Sequence, residues 1–457
     1  MIDRRSFGLS LAAMAFSGLA ARAGGAPPST SGYGGLVADP AGLLDLPRGF
    51  AYRIISSAGD AMDDGLRVPD RADGMGALQI DARRTALVRN HELSAKALGD
   101  GPSPQASPGV ALAFDRNDGG QALPGGTTTL VYDQVSGKVE RQHLSLAGTI
   151  RNCGGGTTPW GTWLSCEEDM TRAGNGVGQD HGWVFEVPAA HRGLVEPVPL
   201  KAMGRFNHEA TAVDPATGIV YLTEDREDGL FYRFLPTVRG ELRKGGRLQA
   251  LGLVTAPEGS DSRNRKAADF ATGGAHAVRW IDLDDVESPA DNLRQRGHRK
   301  GATLFARGEG VHFGRGGNGQ GELFFCCTSG GAAKLGQIMR YRPSRFEGQP
   351  AEAGEPGQVA LFVESSNAAT FNYGDNLTVA PNGHLIVCED QYTPIVDNHL
   401  RGVTPDGALY DFARLRWQTE LAGACFSPDG TILFVNVYSP AQTLAITGPW
   451  GAFNVQA

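Results

Sequence analysis

Short apolar segments recur along the chain, each with the same polar frame. Every segment follows a polar turn, begins with a Gly or basic residue, runs for about five apolar positions and ends in an acidic or polar residue. This period and length are typical of short buried strands rather than of amphipathic helices. Six instances are found, at 85–92, 162–169, 219–226, 322–328, 384–390 and 431–437.

Most of these segments are preceded by a partner strand and a hairpin turn. The turns at 214–218, 381–383 and 427–430 contain the Pro, Asn, Asp and Gly residues that turn dihedrals require. Each partner strand opens with a polar residue of its own. In three hairpins this residue lies fifteen positions before the acid that ends the hairpin: Cys153 before Glu168, Glu209 before Glu224, and Asp375 before Asp390. Polar groups are therefore expected at matching heights on successive hairpins.

Six such hairpins predict an all-β chain, a six-bladed β-propeller with inserted loops and short helices. The blades of a propeller surround a central channel, so their polar strand ends would converge at one mouth. The alternative, a β-sandwich, would not bring six equivalent strand ends together. The polar stretch at 240–274 is predicted to be an inserted loop, and 278–299 a short helix between blades.

The N-terminus has the pattern of an export signal. Paired arginines at positions 4 and 5 precede Ser-Phe, an apolar run and a small-residue cleavage pattern. We predict a twin-arginine signal peptide at 1–23, a linker at 24–42 and a single catalytic propeller domain at 43–457. An ordinary Sec signal or a membrane anchor is the alternative reading of the same segment.

Composition narrows the classes of partner. The 457 residues are 41% hydrophobic, enough for a full core, and the net charge of −8 comes without a basic patch that would indicate nucleic-acid binding. The six cysteines lack zinc-site spacing, and Cys166, Cys326, Cys388 and Cys425 fit small buried hydrophobes. Cys153 differs, because it lies between an Asn and three glycines, outside any apolar run.

The predicted mouth collects many acids. Carboxylates at such close quarters repel one another unless cations neutralise them, so a metal site is expected, although any single acid could be a solvated turn residue. Oxygen ligands favour calcium, and one thiolate among carboxylates could hold iron. The acids placed at the mouth are Glu92, Glu168, Glu209, Glu224, Asp225, Glu309, Asp375, Glu389 and Asp390.

Two further features belong to this mouth. The tripeptide Asn-His-Glu occurs twice, and its histidines, His91 and His208, could be ligands or packing residues. Arg307, two residues before Glu309, could clamp an anionic substrate with its planar fork, or could pair with a neighbouring acid. Zinc-protease, phosphate-loop and serine-hydrolase motifs are absent from the sequence.

Together these motifs resemble the PhoX-type alkaline phosphatases. The family is exported by the twin-arginine route and has a six-bladed propeller with iron and calcium ions at one end. The resemblance covers essentially the whole mature chain. The segments that carry it are 152–155, 158–163, 166–168, 204–209, 307–310, 426–430 and 433–436.

The resemblance implies roles for individual residues. Cys153 would be a thiolate ligand of iron, and Arg307 would contact the substrate phosphate; with Glu168 they form the expected catalytic set. Glu168, Glu209, Glu309 and Asp225 would be carboxylate ligands of the metal cluster. The hairpin frame adds the remaining expected metal ligands, which are Glu92, Glu224, Asn376, Glu389 and Asp390.

The expected function is therefore that of a metal-dependent alkaline phosphatase. It would hydrolyse small-molecule phosphomonoesters with Ca²⁺ and Fe³⁺, which would supply an activated oxide or hydroxide. The protein would be periplasmic or secreted, use the twin-arginine export machinery, and neither bind nucleic acid nor insert stably in a membrane. Two alternatives remain: a calcium-dependent propeller hydrolase of phosphodiesters or lactones, and a non-catalytic calcium-binding propeller.

Overall fold

The computed structural model describes residues 32–102, 110, 112–266, 268–315, 321–391, 393–451 and 453. The predicted signal peptide at 1–23 and the first part of the predicted linker, 24–31, lie outside the described residues. Among the helices that are described, none has the length and apolar character needed to cross a membrane.

Strands dominate the described chain. In chain order they are β1 (Leu36–Val37), β2 (Leu44–Pro47), β3 (Ala51–Ser57), β4 (Ala72–Gln79), β5 (Arg84–His91), β6 (Gly125–Asp133), β7 (Lys138–Thr149), β8 (Asn152–Thr157), β9 (Thr162–Glu167), β10 (Val184–Pro188), β11 (His208–Val213), β12 (Val220–Glu224), β13 (Phe231–Pro236) and β14 (Gly246–Leu253). They continue as β15 (Ser260–Asp261), β16 (Ala275–Asp282), β17 (Thr303–Leu304), β18 (Gly308–Arg315), β19 (Gly321–Cys327), β20 (Gln337–Arg342), β21 (Gln358–Glu364), β22 (Gly374–Val379), β23 (Leu385–Glu389), β24 (His399–Val403), β25 (Leu409–Leu415), β26 (Leu421–Phe426), β27 (Ile432–Val437) and β28 (Gln442–Thr447). One short α-helix, α1 (Leu293–Arg299), is described, with 3₁₀ turns at Leu98–Asp100, Lys201–Met203, Leu242–Lys244 and Pro350–Gly354.

These strands form antiparallel sheets arranged around a ring. Four separate sheets have the orders β4-β5-β6-β7, β8-β9-β10, β22-β23-β24-β25-β2-β1 and β26-β27-β28-β3. A fifth sheet has nine strands in the order β11-β12-β13-β14-β16-β21-β20-β19-β18, and β15 pairs with β17. In each run of hairpin-connected strands, the first strand lies innermost. The innermost strands contact one another in turn and close a ring, in the order β4, β8, β11, β18, β22, β26 and back to β4. The predicted all-β, propeller-like fold is confirmed.

The boundaries between the sheets differ from the sequence prediction. Six separate sheets are not resolved, because β16 pairs with β14 through residues 278–282 and with β21 through residues 275–277. The predicted helix at 278–299 is therefore a strand in its first part, and helix α1 covers only Leu293–Arg299. The predicted inserted loop at 240–274 likewise contains β14 and β15.

The hydrophobic core lies between neighbouring sheets. Phe231 and Phe325, for example, stack with ring centroids 4.2 Å apart across the two halves of the nine-stranded sheet. All six cysteines are free thiols, and four of them are fully buried among apolar side chains: Cys166, Cys326, Cys327 and Cys388. Burial agrees with the prediction that Cys166, Cys326 and Cys388 are core residues, whereas Cys425, which was predicted with them, is only partly buried.

Candidate metal centre

The innermost strands all begin at one end of the ring, and their second residues meet there. Five of the six second residues carry a carboxylate or a thiol, and all five are buried. Because the strands run in parallel around the axis, these side chains lie at the same height. They are Asp73 on β4, Cys153 on β8, Glu209 on β11, Glu309 on β18 and Asp375 on β22.

A bulge lies at the second residue of five innermost strands and directly after the second residue of β26, where Ala422 is still paired. The pairing with the next strand shifts register across the same three-residue step in each case, for example between His208 and Thr211. Bulges of this kind re-aim a side chain at the expense of ladder hydrogen bonds, and they are common beside active sites. The other five shifts lie between Ala72 and Met75, Asn152 and Gly155, Gly308 and Val311, Gly374 and Leu377, and Ala422 and Cys425.

A second set of polar residues reaches the same centre from the partner strands. In each hairpin, the residue just after the second strand donates its backbone N–H to a carbonyl near the start of the innermost strand. That carbonyl belongs to the residue two positions before the second residue of the innermost strand. This junction therefore fixes the residue after each strand beside the centre. The six donor–acceptor pairs are Glu92 and Arg71, Glu168 and Arg151, Asp225 and Asn207, Thr328 and Arg307, Asp390 and Tyr373, and Tyr438 and Glu420.

Four groups of side chains in the described chain have ligand atoms within 4.8 Å of one another. They are linked through shared members, so they form one continuous centre. The groups are Asp73–Glu92–Cys153, Cys153–Glu168–Glu209, Glu209–Glu309–Asp375 and Asp375–Asp390–Glu420.

Two carboxylates of this centre have buried oxygens that accept no hydrogen bond from a described residue. Glu209 is fully buried, and neither of its side-chain oxygens accepts a hydrogen bond from a described residue; the same holds for Oδ1 of Asp73. Burial and the nearby Asp375 carboxylate raise the pKa of Glu209 well above its usual range. Burial and Asp390 likewise raise the pKa of Asp375 to about 8. Buried acids of this kind require protons or cations, and metal ions fit the oxygen-rich donor set.

Cys153 is the one thiol in these groups. Its Sγ atom lies 3.5 Å from Oδ2 of Asp73, and burial, Asp73 and Glu209 raise the pKa of the thiol. A thiolate among these carboxylates is stable only beside a cation. The residues present thus fit iron at the group that contains Cys153, Glu168 and Glu209, and calcium at the oxygen-only groups.

Two arginines flank the centre on either side. Arg307 donates through Nε and Nη2 to the two oxygens of Asp225, at 2.7 and 2.8 Å, and through Nη2 to Glu309 at 3.0 Å. Arg151 donates through Nε to Glu92 at 2.8 Å and also pairs with Glu168. Each guanidinium is thereby oriented by two carboxylates at the rim of the centre.

The structure brings most of the predicted ligands together. Cys153, Glu92, Glu168, Glu209, Glu309 and Asp390 are members of the four groups. Two others lie beside them. Asp225 is held by Arg307, and Asn376 donates to Oδ1 of Asp375 at 3.0 Å while its own Oδ1 accepts the Gly423 N–H at 2.6 Å.

Glu224 and Glu389 lie outside these groups. They are the last residues of β12 and β23, and their side chains point into the sheets. Glu224 accepts a hydrogen bond from the Tyr232 hydroxyl at 2.6 Å, and Glu389 accepts one from Nε of Arg401 at 2.8 Å. Successive strand residues point to opposite sides, so the next residue, Asp225 or Asp390, faces the centre instead. At β12 the fifteen-residue separation therefore selects Glu224, which faces its sheet, rather than Asp225, which faces the centre.

Sequence reasoning missed Asp73, Glu420 and Arg151 as site residues, and it placed Asp375 at the mouth without assigning it as a metal ligand. The sequence contained a signal for Asp73 and Arg151. Asp73 follows Arg71 at the two-residue spacing by which Glu309 follows Arg307. Cys153 follows Arg151 at the same spacing. Glu420 carries no such signal, since it lies one residue before β26 and reaches the centre only through ring closure.

The glycine run after Cys153 allows close approach between β8 and β11. A Cβ atom on Gly154 would lie 2.5 Å from Oε1 of Glu209, and one on Gly156 would lie 2.0 Å from the Thr211 carbonyl oxygen. Side chains at these positions would displace the neighbouring strand or the acid. The run is therefore a packing requirement of the centre.

Two cavities meet the centre from opposite ends. A cavity of about 790 Å³ covers the acidic side and is lined by Glu92, Arg151, Asp390 and Glu420 among other polar residues. A channel of about 390 Å³ continues between the innermost strands below the bulges. The upper cavity gives a small polar molecule direct access to the carboxylates.

A propeller-like ring that holds a buried thiol and carboxylate centre under a polar cavity defines a metal-dependent enzyme. The chain belongs to the family described as alkaline phosphatase PhoX, which matches residues 31–138 and 131–441. It is a phosphatase, as predicted, and the metal dependence of the family agrees with the acidic groups. The corresponding substrate is a small-molecule phosphate ester.

One solved structure supports the fold. The chain is similar to Pseudomonas fluorescens PhoX in complex with vanadate, a transition state analogue, with a TM-score of 0.66 and 19% identity over 93% of this chain and 97% of that one. A gluconolactonase from Xanthomonas campestris aligns with a TM-score of 0.41 and 14% identity over 91% of this chain and 98% of that one. A comparison with curated proteins gives no match.

Proposed function

We propose that the protein is an exported phosphomonoesterase that works with iron and calcium ions at the centre of its ring. The observation that carries this proposal is the Glu209 carboxylate, which is fully buried without a hydrogen-bond donor among the described residues. A buried carboxylate of this kind is charged in the folded chain only when a cation stabilises it.

The donor chemistry divides the centre between the two metals. Iron would be held by Cys153 with Glu168 and Glu209, while calcium would be held by the oxygen-only groups around Asp375 and Glu309. When bound, these cations supply positive charge for the phosphate oxygens and lower the pKa of water. Glu224 and Glu389, which already accept hydrogen bonds within their sheets, are left out of the proposed ligand set.

The arginines provide the part of the chemistry that belongs to the chain itself. Asp225 and Glu309 hold the planar fork of Arg307 at the rim, so the fork is oriented before a phosphate arrives. Arg151, held by Glu92 and Glu168, does the same at the cavity side. The guanidinium groups of both arginines would bind phosphate oxygens and stabilise the charge that accumulates as the ester bond breaks.

We interpret the ring as six blades. The nine-stranded sheet would then be two four-stranded blades, β11 to β14 and β18 to β21, that are joined by β16. Support comes from the six innermost strands, each with a bulge at or directly after its second residue, and from the six equivalent backbone junctions at the centre.

We further propose that residues 1–23 direct twin-arginine export and that the mature domain, 43–457, works in the periplasm or outside the cell. The family of exported phosphatases and the paired arginines at positions 4 and 5 support this location. Export in a folded state would suit a centre whose ligands come from five sheets.

Elemental analysis beside an assay with p-nitrophenyl phosphate tests the proposal. The Cys153→Ser variant is expected to lose iron and activity together, because the hydroxyl is a poorer ligand than the thiolate. Cys166→Ser is the matched control, since Cys166 is also buried but packs in an apolar cluster. Retention of iron and full turnover by the Cys153→Ser variant would refute the site assignment.

A further inference from the structure

Arg71 occupies the position in its hairpin that Arg151 and Arg307 occupy in theirs. Each arginine lies two residues before an innermost-strand ligand, and each carbonyl accepts the N–H of the residue that follows the partner strand. All three also adopt a left-handed backbone, with φ of 53° at Arg71, 46° at Arg151 and 53° at Arg307. Arg71 is therefore the third member of a repeated arrangement whose other two members face the centre.

The backbone at Arg71 is held in this conformation from both sides. The carboxylate of Asp70 accepts hydrogen bonds from the Ser439 hydroxyl at 2.8 Å and the Ala441 N–H at 2.6 Å. The Ala72 N–H donates to the Tyr438 carbonyl at 3.1 Å. A left-handed backbone costs a non-glycine residue about 1 kcal/mol, and such costs persist mainly where they position a functional group.

Arg71 differs from the other two arginines in its partners. Arg151 and Arg307 are each paired with two carboxylates of the centre. The half-buried guanidinium of Arg71 makes no hydrogen bond or ion pair with any residue that the structure describes. It lines the upper cavity together with Arg151. The cavity thus contains, beside the carboxylates of Glu92, Asp390 and Glu420, a cation that forms no ion pair with a described residue.

The remaining lining of this cavity is hydrophilic. Its described residues present amides and hydroxyls, such as those of Gln391, Asn398, Gln418 and Thr419, and the single aromatic ring belongs to Tyr438, whose hydroxyl donates to Glu92 at 2.5 Å. No described lining residue is aliphatic. A volume of about 790 Å³ accepts a phosphorylated molecule of three to six carbons, and the lining suits one that is polar along its length.

We propose that Arg71 binds a second anionic group on the leaving group of the substrate. The preferred substrates would then be phosphomonoesters of small polyhydroxylated compounds that carry an additional carboxylate or phosphate. This inference rests on the proposed phosphomonoesterase function. A charge-assisted hydrogen bond from a guanidinium to such an anion favours the doubly anionic substrate over its neutral analogue.

Pairs of substrates that differ only in the second anion test the proposal. Glycerol 3-phosphate is compared with 3-phosphoglycerate for the carboxylate, and fructose 6-phosphate with fructose 1,6-bisphosphate for the phosphate. The wild-type protein is expected to show a kcat/KM about tenfold higher for the anionic member of at least one pair, at low ionic strength. The Arg71→Gln variant is expected to bring that ratio to about one.

Arg48→Gln serves as the matched control, because Arg48 is exposed in a turn and does not line the cavity. It should keep the wild-type ratio. A wild-type ratio near one in both pairs, or an unchanged ratio in Arg71→Gln, would overturn the inference while hydrolysis of p-nitrophenyl phosphate leaves the proposed function standing. Failure to hydrolyse any of these esters would overturn both.

Discussion

Acids one residue apart in this chain have opposite surroundings. Glu167, the last residue of β9, points into its sheet and accepts hydrogen bonds from Nδ1 of His181 at 2.6 Å, from Gly182 N at 2.9 Å and from Ile150 N at 3.1 Å. Glu168 follows it and points to the centre. There burial and the Asp225 carboxylate raise its pKa well above the usual range.

The same contrast recurs in the other hairpins. Glu224 and Glu389 accept hydrogen bonds from their own sheets, whereas Glu209 at the centre accepts none from the described residues. Acids inside the sheets are therefore stabilised by the fold itself. Acids at the centre depend on an added cation, which is why their charge can be used for binding rather than for structure.

The largest expected effect comes from the centre. Glu209→Gln removes a carboxylate that is shared by two of the candidate metal groups, so kcat/KM for p-nitrophenyl phosphate should fall by about 10³-fold, equivalent to several kcal/mol of lost stabilisation. Steady-state kinetics on the folded variant provide the measurement.

Glu224→Gln is the matched control within a sheet. Its activity per folded molecule should stay within about tenfold of wild type, because the interactions that change, the hydrogen bonds from Tyr232 and Leu230 and the ion pair with Arg294, lie within the fold. Equal losses in the two variants would remove the distinction between centre and sheet acids.

Sequence reasoning reached much of this centre because its signals are local. The hairpins, and Cys153, Glu209 and Glu309 at strand starts, follow from turn residues and apolar segments. The sequence pattern could not decide whether Glu224 or Asp225 faces the centre. That depends on where the strand ends and on which side its last residue points. The pairing of β16 with two neighbouring strands is a tertiary event without a local pattern.

The next effect concerns stability rather than catalysis. Glu167→Gln leaves the buried His181 with Asp115 as its remaining acidic partner, so the free energy of unfolding should fall by roughly 4 kcal/mol. Urea unfolding measures this loss. A stable Glu167→Gln variant that instead loses its metal would place Glu167 with the centre acids.

A pH dependence follows from the same buried group. Burial alone would lower the pKa of His181, but Glu167 and Asp115 outweigh it and raise this pKa to about 9. The unfolded value is about 6.5, so the stabilisation is complete below about pH 6.5 and is lost as the pH rises through about 9. It amounts to up to about 3 kcal/mol.

Comparison with His181→Gln isolates this contribution. The difference in unfolding free energy between the two proteins should be large at pH 6 and should shrink by pH 9.5. A difference that does not change with pH would show that His181 is not charged in the folded protein.

The smallest expected effect lies just outside the metal groups. Asn376→Ala removes the amide that donates to Asp375 and accepts from Gly423, so kcat/KM should fall by about tenfold through misorientation of that carboxylate. Asn382→Ala, in the exposed turn before β23, should have wild-type kinetics. Identical kinetics in the two variants would argue against an orienting role for Asn376.

Metal analysis of three purified proteins tests the central claim most directly. The wild-type protein should contain iron and calcium, Glu209→Gln should lose metal from the centre, and Glu224→Gln should retain the wild-type content. A wild-type protein that is active without metal, or a Glu209→Gln variant that keeps the full complement, would contradict the assignment of the centre.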